Sequence, residues 1–261
     1  MLTISRPEDM PGVLLLTFDD VPSYNSLTTD TFGEITRTLR DTKDDDTVKA
    51  IVFTGAGEKA FSSGLSMGAL ATLATDDDRA LFYTGGLSAR EAIYAVGKPV
   101  IAAVNGACAG GGFELALCCD LIYASEKAKF TLPEVNIALT PGCGGAINLA
   151  HKMPLNRVYE MIWFGERVTA DELQRWGVVN AVFAPEVFRE EVAKRVNTLL
   201  EKPQSAVRAL KQVLSHTALY SGEAESLKYE RTLAVDEMRT RDFTEGVTAF
   251  REKRTPKFNV E

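Results

Sequence analysis

Residues 98–145 read KPVIAAVNGACAGGGFELALCCDLIYASEKAKFTLPEVNIALTPGCGG, and this stretch, from Lys98 to Gly145, decides the fold. Val100 to Val104 has the composition of a buried strand, and Glu114-Leu115-Ala116-Leu117 that of a starting helix. Between them Gly110, Gly111 and Gly112 leave backbone N–H groups uncovered, so that a ligand can approach closely. The first turn of a helix has unpaired N–H groups and partial positive charge, which puts Gly111 where an oxyanion would be stabilised. Glu114 lies just beyond, and Glu134 follows Pro133 at a second turn. Each glutamate alone reads as an exposed helix acid, and the glycines alone as a packing turn. Together, two carboxylates in a glycine-lined, apolar setting are the strongest chemical signal in the chain.

Other templates fit worse. A phosphate-cradling loop needs GxxxxGK[ST], but Gly106 to Gly111 is followed by Gly112 and Phe113, and no GxGxxG precedes a helix. Val100 to Cys119 holds few polar residues, yet Asn105, Glu114 and the glycine triplet make it a poor membrane-spanning helix. Gly64-Leu65-Ser66-Met67-Gly68 matches the G-x-S-x-G nucleophile elbow, which requires a strand directly before the serine and a helix directly after it. Here the preceding strand, read over Val48 to Thr54, is separated from the serine by GAGEKAFSS. His151 and His216 lie downstream, the latter in the helical pattern KQVLSHTALY, and a serine hydrolase is disfavoured.

Outward from this stretch, Gly12 to Phe18 reads as a first strand, and Thr29 as the cap of a helix that places Phe32, Ile35 and Leu39 on one face. Asp44-Asp45-Asp46 is a solvated turn. Alternating strands and helices indicate an α/β fold. Met67 to Val96 reads as helical, broken near Gly85-Gly86 and interrupted by Asp76-Asp77-Asp78; Leu70, Leu73, Leu81, Phe82 and Tyr83 read mainly as core. After Gly145 amphipathic segments alternate with one strand, Val178 to Phe183. From about Pro203 three helices follow, QSAVRALKQVLSHTALY, GEAESLKYERTLAVDEMRT and DFTEGVTAFREKR. No long linker, low-complexity tract or internal repeat is visible.

With 261 residues and 45% hydrophobic composition the chain can bury a sizeable core. A net charge of −7 argues against nucleic acid and anionic membrane partners. The start, MLTISRPEDMPG, has no basic region followed by an apolar run, so no secretory signal is visible. Cys108, Cys118, Cys119 and Cys143 lack paired metal spacing and read as small buried hydrophobes in a reducing, cytoplasmic setting.

NGACAGGGFELALCCDLIYAS followed by FTLPEVNIALTPGCGG closely resembles the crotonase superfamily, specifically the enoyl-CoA hydratases and isomerases. The resemblance extends over nearly the whole chain. Asn25-Ser26-Leu27 is similar to the family's N-terminal Asn-x-Leu element, and Phe61 to Ser66 to its first oxyanion loop. Phe164 to Ala170, Trp176 to Val179 and the ending FREKRTPKF fit later parts of the pattern. The resemblance implies a ββα spiral core over residues 1–200 and a helical C-terminal region over 201–261 that supports a homotrimer or homohexamer. It also implies that the region of Met67 to Val96 helps to shape the acyl pocket.

It further implies that an acyl-CoA thioester is the substrate and that no metal or redox cofactor is required, coenzyme A being part of the substrate. The backbone N–H groups of Leu65 and Gly111 would form an oxyanion hole; Glu114 would activate water and Glu134 would protonate C2. Ser63, Gly64, Ser66, Gly110, Pro133, Gly142 and Lys257 would contact the substrate. Two rivals remain: an isomerase using one carboxylate, and a non-catalytic acyl-CoA-binding homologue. Leu65-Ser66 stands where many members have Ala-Asp, Asn148 and His151 where arginines are frequent, and Ala138 where glycine is usual. These departures leave the acyl group open.

Overall fold

The computed structural model describes residues 1–202, 204–220, 235 and 238–257. The strands are β1 (Leu2–Ser5), β2 (Val13–Phe18), β3 (Ala50–Gly55), β4 (Ala60–Ser62), β5 (Val100–Val104), β6 (Ala107–Ala109), β7 (Leu121–Ser125), β8 (Lys129–Thr131), β9 (Val168–Thr169) and β10 (Ala181–Phe183). The helices are α1 (Thr29–Thr42), α2 (Met67–Ala71), α3 (Asp76–Ala95), α4 (Gly111–Cys118), α5 (Gly145–Lys152), α6 (Leu155–Phe164), α7 (Ala170–Arg175), α8 (Phe188–Leu200), α9 (Gln204–Tyr220) and α10 (Arg241–Glu252).

A six-stranded sheet runs β1-β2-β3-β5-β7-β10, parallel except for the β1–β2 pair. A four-stranded sheet runs β4-β6-β8-β9, in which β4, β6 and β8 are parallel. The chain therefore repeats one move: a strand in the large sheet, a short strand in the small sheet, then a helix. β3-β4-α2, β5-β6-α4 and β7-β8-α5 are successive turns of that ββα spiral. The repeat escapes the sequence because it is one of geometry, its loops differing in length and residue type.

Both faces of the large sheet are covered, which explains its near-continuous apolar strands. Leu14, Leu16, Phe18, Ile51, Phe53, Val100, Ala102 and Val104 point into the main core beneath α1, α3 and α4. Their alternates Val13, Ala50, Val52, Ile101 and Ala103 pack with Phe188, Val192 and Val196 of α8 on the other side. A third cluster gathers Leu70, Phe82, Tyr83, Leu139, Cys143, Phe243 and Val247.

Several expectations change in detail. α1 is capped by Thr28 rather than Thr29, in a reciprocal pair with Thr31. α3 runs unbroken through Gly85-Gly86; a side chain at Gly86 would come within 2.2 Å of Cys143 Sγ, so that glycine serves close packing. The break falls instead before Thr75, which forms a capping box with Asp78, and the acidic triplet is the first turn of α3. Helix α4 starts at Gly111, three residues earlier than its apolar pattern. β1, β4, β6, β8 and β9 went unseen; each has four residues or fewer, too few to show a period. β10 begins at Ala181, because Val178 and Val179 close the turn after α7. The helix read over GEAESLKYERTLAVDEMRT lies almost wholly outside the described residues, as does the side chain of His216. Cys108, Cys118, Cys119 and Cys143 are free and buried. No helix among the described residues is long and apolar enough to cross a membrane.

Candidate active site

The small sheet and the turns beyond it surround a cavity of about 530 Å³. Its lining includes Ser63, Leu65, Ser66, Gly110, Gly111, Glu114, Pro133, Glu134 and Gly142, so most of the residues singled out in the sequence converge there. Gly64 stands just behind the lining. Lys257 does not line it; that residue is exposed, with its backbone N–H on Glu245 Oε1 at 2.8 Å.

Two loops meet at the cavity floor. Asn25 is buried in a left-handed conformation (φ 58°) and donates from Nδ2 to the Ala56 and Ala60 carbonyls. Ser62 Oγ donates to the Asn25 carbonyl and accepts from the Gly64 N–H, while Ser63 N–H donates to the Tyr24 carbonyl. These bonds fix the turn through Gly64, whose φ of 85° suits glycine. A methyl at Gly64 would stand 2.6 Å from the Ala109 carbonyl oxygen and 3.1 Å from Gly111 N. The turn is thus pressed against the start of α4.

Leu65 forms an isolated parallel bridge with Leu27 through the Gly64 carbonyl and the Ser66 N–H. That pattern leaves Leu65's own N–H facing the other way. Gly111 N is the first N–H of α4 and has no partner within the helix. Among the described residues neither N–H has an acceptor. Leu65 Cγ lies 3.2 Å from where a Gly111 side chain would begin, so the two residues are in contact.

Above them stand the two carboxyl groups. Glu114, in the first turn of α4, is 2% exposed. Its Oε1 accepts from Cys143 N–H at 2.8 Å and Gly145 N–H at 3.0 Å, the latter the first N–H of α5. Burial pushes its pKa above the ordinary carboxylate range, and those two donors and the charge of Arg90 offset this only in part. Glu134 opens a single 3-10 turn, Glu134–Ile137, whose far end Ala138 takes φ 56°, the conformation glycine adopts most easily. The Glu134 residue is half-buried, but its Oε2 is enclosed and has no hydrogen-bond partner among the described residues. Gly110 permits the approach: a side chain there would begin 3.2 Å from Glu134 Oε1. Burial, then the neighbouring Glu114, push Glu134 up to about 8. Both carboxyls are thus shifted upward, and only Glu114 is held by N–H donors from another turn, which favour its charged form.

The family model for enoyl-CoA hydratase/isomerase matches residues 8–261. The chain belongs to the enoyl-CoA hydratase/isomerase family. Among its relatives, a carnitinyl-CoA dehydratase of Escherichia coli (strain SMS-3-5 / SECEC) is 36% identical over 249 residues, 94% of each chain. The crystal structure of an enoyl-CoA hydratase from Mycobacterium avium subsp. paratuberculosis K-10 superposes with a TM-score of 0.88 at 31% identity, covering 99% of this chain and 98% of that one. A carnitinyl-CoA hydratase from Mycobacterium avium gives 0.87 at 29% identity, covering 100% and 98%. Fold and resemblance read from the sequence are both upheld.

Within this family member, some site residues escaped sequence reasoning. The N–H donors of Cys143 and Gly145 are backbone groups and leave no residue-type signal. Arg90 was legible in principle: it falls on the buried stripe Phe82, Tyr83, Gly86, Ala89, Arg90, Ile93 of α3, an odd place for a cation. It is 1% exposed and lies over the Tyr94 ring at 4.7 Å. Phe250 reaches the cavity from α10, which packs on the turn that carries Glu134. β4 ends at Ser62, two residues before Gly64 of the GLSMG segment, and α2 starts directly after Ser66, closer to an elbow than expected, but His151 is exposed on α5. Among the described residues no three of His, Cys, Asp and Glu are grouped so as to hold a metal ion.

Proposed function

We propose that this chain adds water across the C2–C3 double bond of a 2-enoyl-CoA thioester, and removes it in reverse. The observation that carries this reading is the asymmetry of the two carboxyls in one cavity. Glu114 Oε1 is held by two N–H donors, whereas Glu134 is enclosed with an unpaired oxygen and a pKa of about 8. Donors that favour the charged form of one carboxyl, beside a second carboxyl raised to about 8, suit the base and the acid that hydration requires.

In this cycle water lies between the carboxyls. Its oxygen bonds to C3 as Glu114 takes its proton, and the C2–C3 π electrons move toward the thioester oxygen. The Leu65 and Gly111 N–H groups stabilise that developing charge; one such donor is worth about 10²–10³ in rate. Glu134 then gives its proton to C2, yielding a 3-hydroxyacyl thioester. Solvent exchange returns the proton from Glu114 to Glu134. A single-carboxylate isomerase leaves the second acid without a task. The relatives named as dehydratases and hydratases are in keeping with this reading.

The test is incubation with crotonyl-CoA, following loss of enoyl-thioester absorbance and weighing the product. A product heavier by one water supports the reading, and an unchanged mass with a shifted double bond overturns it. We also propose a trimer or a pair of trimers. Leu155, Tyr159, Trp163 and Phe164 of α6 form an exposed apolar stripe at one-turn spacing, which a second copy would cover.

A further inference from the structure

The cavity carries an unusual polar inventory. Apart from Glu114 and Glu134 its described lining contains no acid, and it contains no Lys, Arg or His. Hydroxyls of Ser23, Ser26 and Ser63 belong to the hydrogen-bonded loop at one side. Leu70, Tyr83 and Leu139 belong to a separate apolar cluster. Thr140 follows Leu139 directly, and its Oγ1 is fully enclosed with no hydrogen-bond partner among the described residues. Native structures rarely leave a buried hydroxyl unpaired, since doing so forfeits its hydration for nothing. Of the enclosed side-chain oxygens lacking a partner, the two in this cavity are Glu134 Oε2 and Thr140 Oγ1. The first has a task in the proposed cycle; the second has none.

We propose, building on the hydratase reading, that Thr140 selects an uncharged acyl group bearing a hydrogen-bonding oxygen close to the reacting carbons. The oxygen must be close because Thr140 adjoins Pro141, whose Cβ lies 3.1 Å, and Glu114 Cγ 2.9 Å, from where a Gly145 side chain would begin. The Tyr83 ring lies so tightly on Gly142 that a side chain there would begin 1.9 Å from Tyr83 Cε1. Gly142 in turn adjoins Cys143, whose N–H holds Glu114. The group is uncharged because a quaternary ammonium would be stripped of water beside no carboxylate other than the two committed to catalysis. A hydroxyl or carbonyl on C4 meets both conditions.

The experiment compares crotonyl-CoA, 4-hydroxycrotonyl-CoA and the 4-trimethylammonio analogue in wild type, Thr140→Val and Thr140→Ser. Wild type is expected to favour the hydroxylated substrate over crotonyl-CoA by about three- to tenfold in kcat/KM, the worth of one hydrogen bond. Thr140→Val should bring that ratio to about one, and Thr140→Ser should restore it. A wild-type ratio near one, a ratio unmoved by Thr140→Val, or fastest turnover of the trimethylammonio substrate would each overturn the proposal. Calorimetry with saturated butyryl-CoA and 4-hydroxybutyryl-CoA gives the same ratio without turnover. A kept binding ratio with no hydration therefore supports the role of Thr140 and sinks the hydratase reading alone.

Discussion

Replacing Gly64 with alanine tests the proposed backbone oxyanion pair apart from the rest of the site. At φ 85° any side chain is strained, by about 1–2 kcal/mol. The new methyl also meets the Ala109 carbonyl at 2.6 Å and Gly111 N at 3.1 Å, an overlap with backbone that adds about 1–3 kcal/mol. Relief requires the Gly64 turn and the start of α4 to part, which moves the Leu65 and Gly111 N–H groups off a common target. Losing one donor's alignment lowers the rate by about 10²–10³. Gly57→Ala is the matched control. It has φ 72°, but its nearest neighbour is Val21 Cγ2 at 3.5 Å, an ordinary contact, and neither residue lines the cavity. Both variants should lose stability in chemical denaturation, and only Gly64→Ala should lose crotonyl-CoA hydration by two orders of magnitude or more. A folded Gly64→Ala protein as active as Gly57→Ala would refute the backbone oxyanion hole.

Three further outcomes follow from the same geometry. Hydration should fall as pH rises through about 8, where Glu134 loses the proton it would donate in the proposed cycle; a rate flat to well above that value would contradict the acid role. Because this acid binds its proton more tightly folded than unfolded, its contribution to stability is full below about 4.5 and declines as pH rises to about 8. Glu134→Gln should remove that decline, as read from denaturation midpoints. Gly246→Ala places a methyl 2.4 Å from Ile137 Cα and should lift α10 off the turn carrying Glu134, at about 1–3 kcal/mol and with a raised KM; unchanged values would detach α10 from the site. Light scattering should report a trimer or hexamer, with Trp163→Glu reducing it; a wild-type monomer at micromolar concentration would defeat the assembly.

The chemistry-bearing stretch was legible because its demands fall on residue types. Val100–Val104 is apolar at every position since both sheet faces are covered, and three glycines stand where α4 begins. Thr28 and Thr29, by contrast, show how a cap moves by one residue when two adjacent threonines can both accept an N–H. Gly85-Gly86 misled because intrinsic propensity speaks against glycine in a helix, whereas contact with Cys143 demands it. The small sheet was invisible since its strands are too short to alternate. Glu114 and Glu134 were found, but not what distinguishes them: the N–H donors of Cys143 and Gly145 come from a turn about thirty residues away, a relation only the fold supplies.

The central claim is that two carboxyls share one hydration. Glu114→Gln keeps an oxygen for the Cys143 and Gly145 N–H groups, and Glu134→Gln keeps the shape of an enclosed side chain, so both variants should fold. The decisive measurement is crotonyl-CoA hydration by each purified variant, with isomerisation of a 3-enoyl-CoA followed in parallel. The account predicts that each substitution lowers hydration by about 10²–10⁴-fold. Near wild-type hydration by either variant, or a wild type that isomerises well and adds no water, would contradict it.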